Sequence, residues 1–217
     1  MVREKVNNKG DDTLYGVLSG KHACLFYATQ KDLIDLVVPF FNEGLRLNKL
    51  CMWVVSKPLG VREAKKVLSR RIRSFDTYMK KGQFEILDYK DWYLESGKFN
   101  PKRVLDGWAR KEKQALKQSF SGLRVSGDVS WLRQKDWASF IRYEKKVDKL
   151  ISKLKMSALC TYPVNKVDVS DILILSANHR FAFYAKNNKW HIIKNVNLGN
   201  LLYNIKYFVK KRYKRKR

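Results

Sequence analysis

Apolar positions along this chain follow two alternating rhythms. "HACLFYA" (His22–Ala28) and "LCMWVVS" (Leu50–Ser56) are short, nearly unbroken apolar runs, the pattern of parallel strands covered on both faces. Between them, "QKDLIDLVVPFFNEGLRLN" sets Leu33, Leu36, Val37, Phe40, Phe41 and Leu45 at helical spacing. Gly44 and Asn48 mark the end of that helix, and Pro39 predicts a kink. Together these segments make a βαβ unit. The rhythm then recurs. A basic helix from about Val61 to Met79 leads through Gly82 into the strand "FEILDY" (Phe84–Tyr89). A helix capped by Asn100, with Pro101 in its first position, runs to about Gln118. "GLRVSGDVSW" (Gly122–Trp131) reads as the next strand and Lys135–Lys153 as the next helix, with Trp137, Phe140, Ile141, Glu144, Val147 and Ile151 near one period. The strand "MSALCTYPV", a short helix near Asp168–Ser176 and a hairpin turning at Asn187–Asn188 follow.

This order predicts a three-layer α/β domain with a mostly parallel central sheet and an antiparallel addition near its end. Residues 1–12 are polar and read as a flexible lead-in, residues 13–194 as the domain, and residues 195–217 as an appendage. In the appendage Leu201, Leu202, Ile205, Phe208 and Val209 form an apolar stripe. Lys206, Lys210, Lys211, Arg212, Lys214, Arg215, Lys216 and Arg217 make it a basic amphipathic helix ending in a cationic tail.

Composition changes the picture mainly through charge. The 217 residues suit one domain, and 45% hydrophobic with 13% aromatic residues is a folded composition. The 46 Lys and Arg against 20 Asp and Glu leave a formal charge of +26, which favours polyanions: nucleic acid, or the surface of an anionic membrane. The three cysteines, Cys24, Cys51 and Cys160, lie far apart inside apolar runs, with no CxxC pair. This argues against a zinc ribbon or a disulfide framework. "MVREKVNNKGDD" is too polar for a signal peptide, and no apolar run reaches the roughly 18 residues of a membrane span, so a cytoplasmic protein is expected.

Candidate chemistry starts at the first strand-to-helix turn, "YATQKDL". A phosphate cradle there needs glycines and a GK[ST] element, and the turn has neither; Lys31 reads as a solvated charge at a helix start. No P-loop nucleotide hydrolysis is expected. His22 and Cys24, two apart on one strand, face the same side. With Cys160 and His179 they form a soft nitrogen and sulfur metal set, or else a satisfied strand-edge histidine beside core thiols. The second reading is adopted, so no metal is assigned, and His191 is read as structural. Asp128 is the sharper residue. A carboxylate on a covered strand needs donors or a cation, and at the strand's C-terminal end it faces the crevice where open α/β sheets bind ligands. Its alternative is to cap a neighbouring turn. Trp131, Tyr143 and Glu144 lie just beyond, either lining the same cavity or packing. Spacing supports no Ser-His-Asp or Cys-His pattern.

At these residues the chain resembles the MEDS family, the methanogen/methylotroph, dichloromethane-repressor-type sensory domains. The resemblance rests on "HACLFYATQKDLIDLVVPFFNEGLRLNKLCMWVVS", "WYLESGKFNPKRVLDGW", "GLRVSGDVSW", "YEKKVDKL" and "ALCTYP", in that order, from about Leu14 to His191. It implies a RecA-like fold that has lost its phosphate loop, and a sensor of simple hydrocarbon derivatives usually coupled to a DNA-binding or kinase module. By motif match it implies ligand contacts from His22, Cys24, Tyr27, Asp128, Trp131, Tyr143, Glu144, Cys160 and Tyr162. Two positions depart from the family pattern: "NHR" (Asn178–Arg180) stands for "THP", and Pro163 stands where an acid is common.

The resulting expectation is a non-catalytic sensory or regulatory module that binds a small molecule, with no cofactor assigned. A regulator or kinase is a candidate partner. The competing expectation is a nucleic-acid-binding protein that works through the basic tail, with peripheral contact to anionic membrane as its rival.

Overall fold

The unbroken apolar runs do become covered strands. The computed structural model describes residues 4–5, 20–186 and 189–194. Its centre is six parallel strands: β2 (His22–Tyr27), β3 (Leu50–Val55), β4 (Phe84–Asp88), β7 (Leu123–Asp128), β8 (Met156–Pro163) and β9 (Phe181–Lys186). β10 (Lys189–Lys194) pairs antiparallel with β9, and β1 (Glu4–Lys5) pairs antiparallel with β10. The full order is β1-β10-β9-β2-β8-β7-β3-β4, so β2 and β8 are central and flanked on both sides.

Helices cover both faces. α1 (Gln30–Arg46) and α2 (Val61–Arg71) pack on one, where Leu33, Phe40, Phe41, Ala64 and Leu68 meet Leu25, Trp53 and Val55. α5 (Pro101–Lys117), α6 (Trp137–Ile151) and α7 (Val169–Asn178) pack on the other, bringing Val104, Trp108, Phe140, Val147 and Leu175 against Phe26, Met52, Val125 and Tyr162. Two apolar layers on one sheet give the three-layer RecA-like architecture, and each strand divides its side chains between the two layers by alternation.

The structure departs from the sequence reading in several places. The basic helix is two pieces, since α2 ends at Arg71 and α3 (Phe75–Lys80) restarts after Ser74 at φ 58°. A one-turn helix α4 (Tyr89–Tyr93) and a small ribbon of β5 (Leu94–Glu95) with β6 (Lys98–Phe99) follow β4, where no element was expected. Glu4 and Lys5, within the expected lead-in, pair with Ile192 and His191. Helix α1 keeps Pro39 inside it from Gln30 to Arg46, so Pro39 does not end the helix. The strand "GLRVSGDVSW" stops at Asp128, because the Asp128 carboxylate accepts the Ser130 amide at 3.0 Å and turns the chain. The expected turn at Asn187–Asn188 and the basic helix of residues 195–217, with all eight of its proposed nucleic-acid contacts, lie outside the described residues.

Candidate functional site

Two groups of polar side chains are buried against the sheet, on opposite faces. The first gathers where β2, β3, β7 and β8 end. Asp128, the last residue of β7, is 3% exposed and sits on the face covered by α1 and α2. Its carboxylate accepts hydrogen bonds from the Tyr27 hydroxyl at 2.6 Å, the Thr161 hydroxyl at 3.2 Å and the Ser130 amide at 3.0 Å. The hydroxyls of Ser56 and Ser130 donate to its other oxygen. The topology explains this convergence. Tyr27 ends β2, Ser56 follows β3, and Thr161 stands opposite Asp128 in the β7–β8 ladder. The buried charge is thereby met by fixed donors. Burial raises the Tyr27 pKa and the Asp128 carboxylate raises it further, so the phenol keeps its proton and donates.

Beside this hub lies a cavity of about 320 Å³. Leu33, Trp53, Val55 and Leu59 give it apolar walls, Tyr27, Asp128 and Ser130 a polar end, and the exposed Lys57 and Lys166 complete its lining. Both readings of Asp128 hold together: it caps its own turn through Ser130 and lines the crevice. On the opposite side of β7, Gly127 has no room for a side chain. A Cβ there would meet the Tyr93 hydroxyl at 2.0 Å, so the glycine lets α4 close over the strand next to the hub.

The same strand ends border the start of α1, where the fold would hold a phosphate. Here the helix N-terminus is filled by its own side chains. The Thr29 hydroxyl accepts from the Asp32 amide at 3.1 Å, and the Asp32 carboxylate accepts from the Thr29 amide at 2.9 Å and the Ala28 amide at 3.2 Å. An anion would have to displace a carboxylate of like charge. Lys31 points to Asp35 at 2.5 Å. The structure therefore supplies a reason that a glycine-free turn suits this site: the amides of Ala28, Thr29 and Asp32 are already taken.

The second group lies on the other face. His22 is not at an open strand edge. It is 1% exposed at the start of central β2, beneath α6. Its Nε2 lies 3.3 Å from Glu144 Oε2 of α6 and 3.4 Å from Cys160 Sγ of β8. His179, which follows α7, places its Nε2 3.2 Å from the same Glu144 oxygen. The two imidazole centroids are 3.9 Å apart. Burial would raise the Glu144 pKa, but the imidazoles of His179 and His22 outweigh it and hold the carboxyl low. Burial opposes a charge on His22, and Asp148 and Glu144 overcome it. Burial pushes the Cys160 thiol up.

The residues carried over from the family resemblance thus divide. Tyr27 and Asp128 share the first group; His22, Glu144 and Cys160 share the second. Cys24 is buried opposite Cys160 in the β2–β8 ladder, and Tyr162 packs between Phe26, Phe140 and His179. Tyr143 accepts a hydrogen bond from the Trp108 indole at 2.8 Å. Trp131 stacks on Tyr89 and Tyr93 and does not line the Asp128 cavity, and neither does Glu144. His191 stacks on Tyr184. Ser56, Ser130 and Thr161 were absent from the sequence-derived site. Their signal was a hydroxyl just after, or within, an apolar run.

Known proteins agree with this architecture. A KaiC-like protein from Pyrococcus horikoshii OT3 superposes with a TM-score of 0.55 at 13% identity, covering 89% of this chain and 88% of that one. The flagellar accessory protein FlaH of Methanocaldococcus jannaschii gives 0.53 at 11% identity, over 88% and 87%. These likenesses establish the RecA-like fold. The transcriptional repressor DcmR of Methylorubrum extorquens is 27% identical over 164 residues, which is 73% of this chain and 57% of the repressor. The chain therefore spans little more than half the length of that relative. No helix among the described residues is long and apolar enough to cross a membrane. Residues 21–180 match the MEthanogen/methylotroph, DcmR Sensory domain, which supports a sensory or regulatory role. The match takes in both buried polar groups and every parallel strand up to β8, and the chain belongs to the MEDS family.

Proposed function

We propose that this chain is a non-catalytic sensory module that binds a small molecule, of the class of simple hydrocarbon derivatives, in the cavity beside Asp128. The observation that carries this reading is a buried carboxylate, held by the Tyr27, Ser56, Ser130 and Thr161 side chains, at one end of a small cavity with apolar walls. Such a cavity suits a compact ligand with one polar end. The capped start of α1 disfavours a phosphate there, which speaks against nucleotide turnover. A thermal-shift screen of halomethanes, short alcohols and short ketones tests it. Wild type should be stabilised by at least one of these classes, and Asp128→Ala should lose that response. Equal responses from both proteins would remove Asp128 from the binding site.

A second reading has its own observation. Arg62, Lys65, Lys66, Arg70 and Arg71 of α2 are all exposed, with Glu63 the one acid of that helix. These five cations offer a surface for nucleic acid, and the sequence adds eight Lys and Arg within residues 206–217 as a further candidate, through which a sensor would reach its output. Eight phosphate contacts by the tail would give a log–log salt slope of roughly −7 on duplex DNA. Deleting residues 206–217 should flatten that slope, whereas an unchanged slope would place binding on α2. Binding to anionic liposomes instead of DNA would assign the tail to membrane.

A further inference from the structure

We propose that His22, Glu144, Cys160 and His179 form a four-ligand site for a divalent metal ion of the zinc class, which staples β2, α6, β8 and the end of α7 together. This site is separate from the Asp128 cavity and does not depend on it. The four donor atoms, two imidazole nitrogens, one carboxylate oxygen and one sulfur, all lie within 4.8 Å of one another. Zinc bound at roughly 2.0–2.1 Å by nitrogen and oxygen and ~2.3 Å by sulfur makes a tetrahedron whose edges are about 3.3–3.6 Å. The observed separations are 3.2 Å for His179 to Glu144, 3.3 Å for His22 to Glu144 and 3.4 Å for His22 to Cys160. Three edges of the tetrahedron are therefore already drawn.

Hydrogen bonding accounts for the His22–Cys160 contact, and less directly for the carboxylate. Glu144 Oε2 is buried with a histidine nitrogen on each side, yet no aligned hydrogen bond reaches it. One atom from each of the four side chains faces the same small region. The far side of the His179 ring fits as well. His179 Nδ1 lies 2.7 Å from the Leu175 carbonyl, and His22 Nδ1 faces the Asp148 carboxylate at 3.6 Å. The Leu175 carbonyl behind His179 Nδ1 favours the tautomer that leaves Nε2 as a lone pair, the arrangement that metal-binding histidines use, whereas Asp148 stands beyond hydrogen-bond distance of His22 Nδ1. His22, Glu144 and His179 are each 1% exposed, while Cys160 is partly exposed. A thiolate with two imidazoles selects a borderline-soft ion over magnesium or calcium, and four protein ligands make a closed, structural site. On binding, the Cys160 thiol gives its proton to solvent and the metal takes the thiolate, the two imidazole lone pairs and a carboxylate oxygen.

Zinc analysis and cobalt(II) titration of the tag-free full chain test the site. After chelator treatment and dialysis against zinc, wild type should retain one zinc per chain. Cobalt(II) should give four-coordinate visible bands and a thiolate charge-transfer band. Cys160→Ser should abolish the charge-transfer band, Glu144→Gln should weaken zinc binding at least tenfold, and zinc should protect Cys160 from iodoacetamide, as mapped by mass spectrometry. A wild-type chain that retains no zinc and gives no thiolate band overturns the proposal, as does a Cys160→Ser protein that keeps the band. If either variant folds poorly, the alkylation experiment decides alone: protection of Cys160 supports the site, and labelling unaffected by zinc refutes it.

Discussion

Asp128 and Glu144 lie on opposite faces of one sheet, 3% and 1% exposed, and their neighbours differ in kind. Asp128 is surrounded by hydroxyls and an amide, groups that bring their own protons. Glu144 is surrounded by imidazole nitrogens and, through His22, by a thiol, groups that act as donors only in one protonation state. A carboxylate met by fixed donors is complete within the protein, and the space beside it is free to take a neutral guest. A carboxylate met by two imidazoles calls for a cation, either an imidazolium proton or a metal ion in its place. The difference between the two regions is thus the kind of partner, permanent hydroxyl and amide donors against groups that can exchange a proton for a metal ion, since the burial is nearly equal.

That contrast can be broken by substitution. The largest effect is expected for Asp128→Ala, which leaves the Tyr27 hydroxyl without its acceptor and takes one acceptor from each of Ser56, Ser130 and Thr161. It should cost about 3 kcal/mol, read as a lower urea midpoint, since each stranded donor carries a desolvation penalty. Zinc content should stay at the wild-type level. Loss of zinc in this variant would mean that the two regions are one unit, and the comparison would fail. A smaller effect is expected for Asp148→Asn, which leaves the four ligands in place and removes the carboxylate charge 3.6 Å from His22 Nδ1. Zinc affinity should fall by roughly tenfold, the scale of such supporting contacts. The thermal response to small organic ligands should not change. An altered ligand response with unaltered zinc affinity would reverse the assignment of the two faces.

Much of the fold was legible because burial on both faces leaves a plain mark. The unbroken runs at His22–Ala28 and Leu50–Ser56 and the Asn100–Pro101 helix start were all readable locally, and each forms its element. The break at Ser74 and the ribbon of β5 and β6 were not, since two-residue strands and one left-handed residue have no period to detect. Asp128 was legible as a buried acid at a strand end. Its partners Ser56, Ser130 and Thr161 were not, because short hydroxyl side chains are common at such positions. The sequence reading also joined Asp128, Trp131 and Glu144 into one cavity. They are near neighbours along the chain, but Asp128 lies under α1 and α2 while Trp131 and Glu144 belong to the layer of α5 and α6.

By itself, then, the order of residues determined the alternation of strands and helices, the two-sided burial of the sheet and a first turn without a phosphate cradle, since each depends on composition and period over a few residues. Tertiary structure alone decided which polar residues share a face. Alternation along a strand settles only that neighbours point oppositely; the pairing of β2 with β8 and the seating of α6 and α7 brought residues 22, 144, 160 and 179 to one point.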